Sequence, residues 1–274
     1  MNKNANAIVK ALAFVKRDFM ITTSYKFSFF LQLFGIFLSV LTFYFIAKMF
    51  SSASIPSLEP YGGDYFSFVL IGIAFSGYLT TGLGSFSGSI RSEQMMGTLE
   101  AMLVTPTSTP FIIISSSLWS FIFTSIRVMV YLLIGVFLFD VNMSNVNIFG
   151  ALLVLALTII CFSSIGIISA SFIMIFKQGD PINWAFSAVS GLLGGVFYPI
   201  TILPGWLQNF SYLLPITYSL RAMRLALLQG YSLEALTPDI FALILFSIIL
   251  LPISVTIFKY AVRRAKREGS LALY

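Results

Sequence analysis

Apolar residues run along the chain in blocks long enough to cross a bilayer, separated by short polar interruptions. The first block, 27–47, holds about 20 residues, and at about 1.5 Å rise per residue such a helix covers a hydrocarbon core of about 30 Å. Ser51–Asp64, with two prolines and a Gly-Gly pair, ends it. The second block, 65–88, is rich in Gly, Ser and Thr, small residues that let membrane helices approach closely, so it is expected to sit against other helices. Blocks at 111–139 and 148–176 exceed what spanning requires, and the last, 240–258, runs into Lys259, Arg263, Arg264, Lys266 and Arg267. Residues 4–23 read differently, with Ile8, Leu12, Val15 and Phe19 at helical spacing and Lys10, Lys16 and Arg17 among them. That is the pattern of an amphipathic helix lying in the membrane interface, or simply of the flank of the first span.

The segment 182–198 is apolar but short, and Pro199, Pro204 and Pro215 interrupt the stretch after it. Both ends of the chain are basic and by the positive-inside rule face the cytoplasm, so the number of crossings is even. Five clear spans plus 182–198 make six, with a re-entrant segment at 199–215. The expected fold is an all-α membrane protein forming one domain over 1–274. Lys3, Lys10, Lys16, Arg17, Lys26, Arg91 and Lys177 then fall on the cytoplasmic side, and Lys48, Arg221 and Arg224 on the outer side.

Composition agrees with a lipid solvent. Charged residues make up 9% of the 274 residues and apolar ones 58%, against about 25% and about 45–50% in soluble domains. The formal net charge of +6 sits mostly at the two chain ends beside apolar segments, a topological pattern and not a nucleic-acid surface. The start of the chain lacks the apolar core and cleavage site of a secretory signal, so it is expected to be retained. Histidine is absent and Cys161 is the single cysteine, which removes the commonest general base, thiolate metal clusters and any internal disulfide. No metal site, bound cofactor or catalytic residue is expected.

Between the second and third spans lies Arg91-Ser92-Glu93-Gln94-Met95-Met96-Gly97-Thr98-Leu99-Glu100-Ala101-Met102-Leu103-Val104-Thr105-Pro106. Met95, Leu99, Met102 and Leu103 share one side of a helix stopped by Pro106, which suits docking into a groove of a soluble partner or lying on the lipid interface. This run resembles the loop between the first two hairpins of type 2 ABC exporter permeases. Phe197-Tyr198-Pro199-Ile200, Leu203-Pro204, Leu213-Leu214-Pro215-Ile216-Thr217-Tyr218 and Arg221 are similar to that family's second signature. Ser92 and Gln94 depart from the pattern, standing where charged residues are frequent.

The resemblance implies a coupling helix at about 91–106 that contacts a nucleotide-binding subunit, through Arg91, Glu93, Gly97, Thr98, Glu100, Leu103, Thr105 and Pro106. It implies two permease copies, expected as a homodimer in the lipid membrane of a bacterial or archaeal cell, and two P-loop ATPase subunits that bind the ATP and Mg. No G-x-x-x-x-G-K-[ST] loop occurs in this chain, so the ATPase site is expected on a separate subunit. It further implies an outer gate at Gly191, Gly194, Gly195, Tyr198, Pro199, Pro204 and Pro215, where glycine and proline break the helix. An ordinary outer loop dipping into the interface is the plainer reading.

Arg127 stands inside the third apolar block, where an arginine costs roughly 2.5–3.5 kcal/mol unless it snorkels, pairs or meets water. It is a candidate pore or interface residue, or else it reaches the membrane surface. Phe75 and Tyr78, with Phe30 and Tyr44, either line a path or pack against lipid and protein. Arg221 and Arg224 either meet lipid phosphates or an anionic substrate, or stabilise the segment that carries them. The function expected from the resemblance is export of a hydrophobic, lipid-like or lipid-linked substrate. An ion-driven secondary transporter would need acidic residues deep in its spans, and a non-transporting scaffold would leave the Arg91–Pro106 run unexplained.

Overall fold

A backbone in hydrocarbon has no water to pair with, so each apolar block closes its own hydrogen bonds as a helix. The computed structural model describes residues 3–50, 55–95, 97, 105, 107, 109–176 and 180–267, most of them helical and none in a strand. The helices are α1 (Lys3–Ser24), α2 (Lys26–Met49), α3 (Tyr65–Met95), α4 (Thr109–Phe139), α5 (Ile148–Phe176), α6 (Pro181–Leu193), α7 (Gly205–Ser211), α8 (Pro215–Leu228) and α9 (Leu233–Arg267). Short 3-10 turns cover Pro56–Tyr61 and Ile200–Ile202.

Five helices, α2, α3, α4, α5 and α9, are long and apolar enough to cross a membrane. The segment expected as a sixth span, 182–198, is not one helix. It is the 13-residue α6 followed by bends, roughly 20 Å of helix against a core of about 30 Å. The break has a local cause: Gly194 caps α6, and Gly195 turns to a φ of 75°, a left-handed conformation through which no right-handed helix continues. The second span runs on to Met95 and the last starts early, at Leu233, so both outgrow the expected 65–88 and 240–258.

Packing centres on α5, which lies against α9, α3 and α8, while α3 also lies against α4. The closest approach is between α3 and α5. A Cβ on Gly166 would meet the Gly82 carbonyl oxygen at 1.9 Å, and one on Gly82 would meet Phe162 Cβ at 2.4 Å. The two backbones touch because neither position carries a side chain. Hydroxyls bridge the other seams: Thr81 with Thr124 at 2.6 Å between α3 and α4, and Thr158 with Ser219 at 2.6 Å between α5 and α8. The Cys161 thiol is buried against Ser247 Oγ at 3.2 Å, between α5 and α9.

At the basic end of the bundle Phe86, Ile90, Ala170, Met174, Phe258, Ala261 and Ala265 gather the ends of α3, α5 and α9 into one cluster. Outward faces are apolar, as on Phe34, Phe137, Leu152 and Ile248, each at least 48% exposed, which suits a lipid solvent. Trp184 on α6 and Trp206 on α7 are exposed and bracket the Gly194 break, the kind of placement tryptophan takes at membrane interfaces. Helix α2 is the least embedded span, with only Ile36 and Val40 buried.

The Gly82–Gly166 contact yields a contrast. Gly166→Ala is expected to destabilise the bundle by about 2 kcal/mol, since the added methyl has only backbone to displace. Gly35→Ala, on α2 with nothing within 4 Å of its Cβ, is expected to leave stability unchanged or slightly raised. Thermal unfolding of both variants in detergent, followed by circular dichroism, checks the pair.

Candidate functional site

Helix α1 is fastened to the basic end of the bundle. Arg17 donates from Nη1 to Glu93 Oε1 at 3.0 Å and from Nε to its neighbour Asp18 at 2.8 Å. The Trp119 indole donates to Thr22 Oγ1 at 2.9 Å and its ring meets Phe19 edge-on at 5.3 Å. Lys10 donates to Thr107 at 3.1 Å, in the loop after α3. Ile8, Leu12 and Phe19 remain exposed, the uncovered apolar positions that an interfacial helix would lay on lipid.

Of the residues assigned to coupling, Arg91 and Glu93 lie in the last turns of α3, Arg91 exposed and Glu93 buried in its pair with Arg17. Gly97 follows α3 with a φ of 68°, the left-handed turn that commonly ends a helix, and its Cβ position faces open space. Thr105 is an exposed bend. Thr98, Glu100, Leu103 and Pro106 lie outside the described residues. A polar cleft of about 280 Å³ opens beside the Arg17–Glu93 pair, lined by Ser85, Ser89, Ser92, Ser116 and Ser120 among others.

The residues assigned to an outer gate lie around and after the break that follows α6. A Cβ on Gly194 would strike Ser190 O at 2.3 Å and Ile216 Cγ2 at 2.5 Å, so glycine is what lets the end of α6 rest on α8. Tyr198 reaches back with its hydroxyl to the Leu192 carbonyl, Pro199 is buried ahead of the Ile200–Ile202 turn, and Pro204 precedes α7. Pro215 opens α8, where its missing N–H leaves no bond unmade. Gly191 has open space at its Cβ. The segment α7 lies on the surface with Trp206, Phe210 and Leu213 exposed, whereas α8 is largely buried.

What secures this irregular backbone is Arg224, on α8. Its side chain donates to Phe68 O at 3.0 Å, Gly195 O at 2.8 Å and Val196 O at 2.9 Å, and its guanidinium stacks over the Phe68 ring at 3.4 Å. Gly72 on α3 forms the notch, since a Cβ there would meet Val196 O at 2.1 Å and Arg224 Nη2 at 2.6 Å. An arginine keeps its proton in a protein interior, so a cation sits among the carbonyl dipoles. One turn earlier, Arg221 pairs with buried Asp239 on α9 at 2.8 Å. Both arginines therefore stabilise the segment that carries them, the second of the two roles considered for them. Leu220 and Leu227, one turn away on either side and on the same helix face, were the sign in the sequence that Arg224 faces inward; Gly72 gave no such sign.

Phe75 and Tyr78 are 7% and 1% exposed, within the core, with the Tyr78 hydroxyl donating to Ser125 at 2.8 Å. Phe30 is exposed on α2, and Tyr44 packs on Phe139 at 4.5 Å. Arg127 lies midway along the Ile114–Phe139 span, roughly 18 Å of helix from either end. It faces a cavity of about 330 Å³ between α2, α3 and α4, lined also by Ser39, Phe43, Ser76, Thr80, Thr124 and Phe197.

No group of three or more His, Cys, Asp or Glu residues poised for a metal occurs among the described residues. Residues 11–228 match the family model described as ABC-2 type transporter. The chain belongs to the ABC-2 type transporter family. Both the Arg17–Glu93 junction and the Arg224 clamp fall inside the matched residues. The chain is also similar to the inner membrane transport permease YadH of Escherichia coli K12 and to the protein of the same name in Shigella flexneri. Each is 26% identical over 169 residues, which cover 61% of this chain and 64% of the relative. The match thus spans just under two thirds of the length of these relatives.

Arg224→Met is expected to leave the Gly195 and Val196 carbonyl oxygens without their donor and to destabilise the ABC-2 fold by at least about 2 kcal/mol, taking about 1 kcal/mol or more for each. Unfolding temperature and yield of folded protein in detergent check this, with Arg221→Gln predicted to be milder because its partner Asp239 can be protonated.

Proposed function

We propose that this chain is the membrane-spanning permease subunit of an ATP-driven exporter, which works as a dimer with a separate P-loop ATPase. The observation that carries the reading is the family match over 11–228, which includes the loop after α3 and the broken segment after α6. None of the 274 residues forms a P-loop, so ATP and its Mg are bound outside them. The loop following Gly97 serves as the coupling element. ATP-driven closure of the partner subunits moves it, and α1, tied to the same junction by Arg17–Glu93, moves with it.

In this reading α6 and the bends to Tyr198 together make the sixth crossing, which puts both chain ends in the cytoplasm, where basic residues favour them. The Gly194–Pro215 segment is then the outer gate, its broken backbone held by protein contacts as membrane depth requires. The cargo is a hydrophobic or lipid-like compound. An ion-driven carrier is the weaker reading, because Asp239, buried in the second turn of α9, is already paired with Arg221.

Two measurements test this. The purified chain is expected to hydrolyse no ATP until the P-loop ATPase encoded beside it is added. With Cys161 buried and silent, Thr98→Cys is expected to crosslink to that ATPase and to resist a membrane-impermeant thiol reagent applied outside intact cells. Cargo movement in vesicles without any ATPase, or labelling of Thr98→Cys from outside, would sink the proposal.

A further inference from the structure

Among the described residues, Arg17, Arg221 and Arg224 are satisfied by protein groups. Arg17 holds Asp18 and Glu93, Arg221 holds Asp239, and Arg224 holds three carbonyls. Arg127 differs. Its Nε is buried without a hydrogen-bond partner, and no ion pair reaches it among the described residues. A cation at mid-span with no protein counter-charge marks a functional site by default.

The cavity it faces is built for more than water. Ser39, Ser76, Thr80, Thr124 and Tyr131 bring hydroxyls to its lining, and no carboxylate contributes to it. Phe43, stacked on Phe197 at 5.6 Å, adds an aromatic wall. Its volume of about 330 Å³ sits at the small end of ligand pockets, which run from about 300 to 1,000 Å³. That accommodates a headgroup, while a long apolar tail would remain among the helices and lipid.

A second observation connects this cavity to the basic end. The cleft beside Arg17–Glu93 is lined by Ser85 and Ser89 of α3 and by Ser116 and Ser120 of α4. The Thr81–Thr124 pair continues the same seam into the Arg127 cavity, which Thr124 also lines. Ser85 Oγ is buried there without a partner. Hydroxyls thus mark a polar track along α3 and α4 that ends at an uncompensated guanidinium.

We propose that the Arg127 cavity binds the anionic headgroup of an amphiphile, with the guanidinium neutralising the charge and the Ser39 and Tyr131 hydroxyls, which no helix carbonyl engages among the described residues, donating to it. The proposal rests on the permease reading only for calling the bound molecule cargo; binding itself needs neither ATP nor a partner.

The test uses the full chain in nanodiscs of phosphatidylcholine, without ATPase, and energy transfer from its tryptophans to pyrene-labelled lipids. Pyrene-labelled phosphatidic acid is expected to give a saturable component above the linear background that pyrene-labelled phosphatidylcholine produces at the exposed tryptophans. Millimolar inorganic phosphate is expected not to displace the lipid. Arg127→Gln should weaken phosphatidic acid binding at least about tenfold, as loss of a charged hydrogen bond does, and Arg127→Lys should retain most of it. Should Arg127→Gln fail to fold, Thr80→Phe, which fills the cavity mouth with Arg127 intact and adds no tryptophan, is expected to abolish the saturable component. Wild-type affinity in folded Arg127→Gln or Thr80→Phe overturns the proposal. So does equal binding of phosphatidylcholine, or displacement by inorganic phosphate, which would make this a free-anion site. Dimer dissociation in Arg127→Gln with lipid binding intact would make Arg127 an interface residue and overturn it equally. Because ATP hydrolysis plays no part, these outcomes are independent of whether the chain couples to an ATPase.

Discussion

The bundle depends on keeping every backbone carbonyl and amide paired where water is scarce. Unbroken helices meet this demand by themselves, but the chain interrupts α6 at Gly194 and does not regain a long helix until α9. The carbonyls of Gly195 and Val196 lie in that interruption, and Arg224 supplies their donors. A residue costly to bury becomes the economical choice here, because its planar fork reaches several acceptors at once. Gly72 is the other half of the device, for only a residue without a side chain leaves room on α3 for both the carbonyl and the guanidinium.

Much of this architecture could be read from the order of residues. Apolar length identified five helices, because a block too long and too uncharged for water leaves few alternatives. The abundance of small residues in α3 correctly signalled close contact, which the Gly82–Gly166 approach realises. The break in the short sixth block is not legible in the sequence because hydropathy is blind to conformation: 182–198 is uncharged throughout, yet Gly195 adopts a left-handed turn that no hydropathy average registers. Phe75 and Tyr78 are ambiguous in the sequence for a related reason, since an aromatic ring suits a path, a lipid face and a core equally, and the burial of both rings shows only in the fold.

The charged residues were harder still. Arg17 and Glu93 are 76 positions apart, and Arg224 meets a carbonyl 156 positions away, so nothing local announces either contact. Arg221 and Arg224 sit three residues apart on one helix and still do different work, one meeting a carboxylate and the other carbonyls. Sequence located the cations; partner chemistry, which separates a structural arginine from one left open like Arg127, needed the fold.

The thin attachment of α2 has a consequence of its own. Its 24 residues make a rod of roughly 36 Å, longer than a hydrocarbon layer of about 30 Å, and little of its circumference is gripped by neighbouring helices. A surplus of that kind is absorbed by tilting. The angle at which α2 stands is therefore governed largely by bilayer thickness, and with α1 joined to it by the short turn at Tyr25, a thinner or thicker membrane pulls on the junction at Arg17 and Glu93.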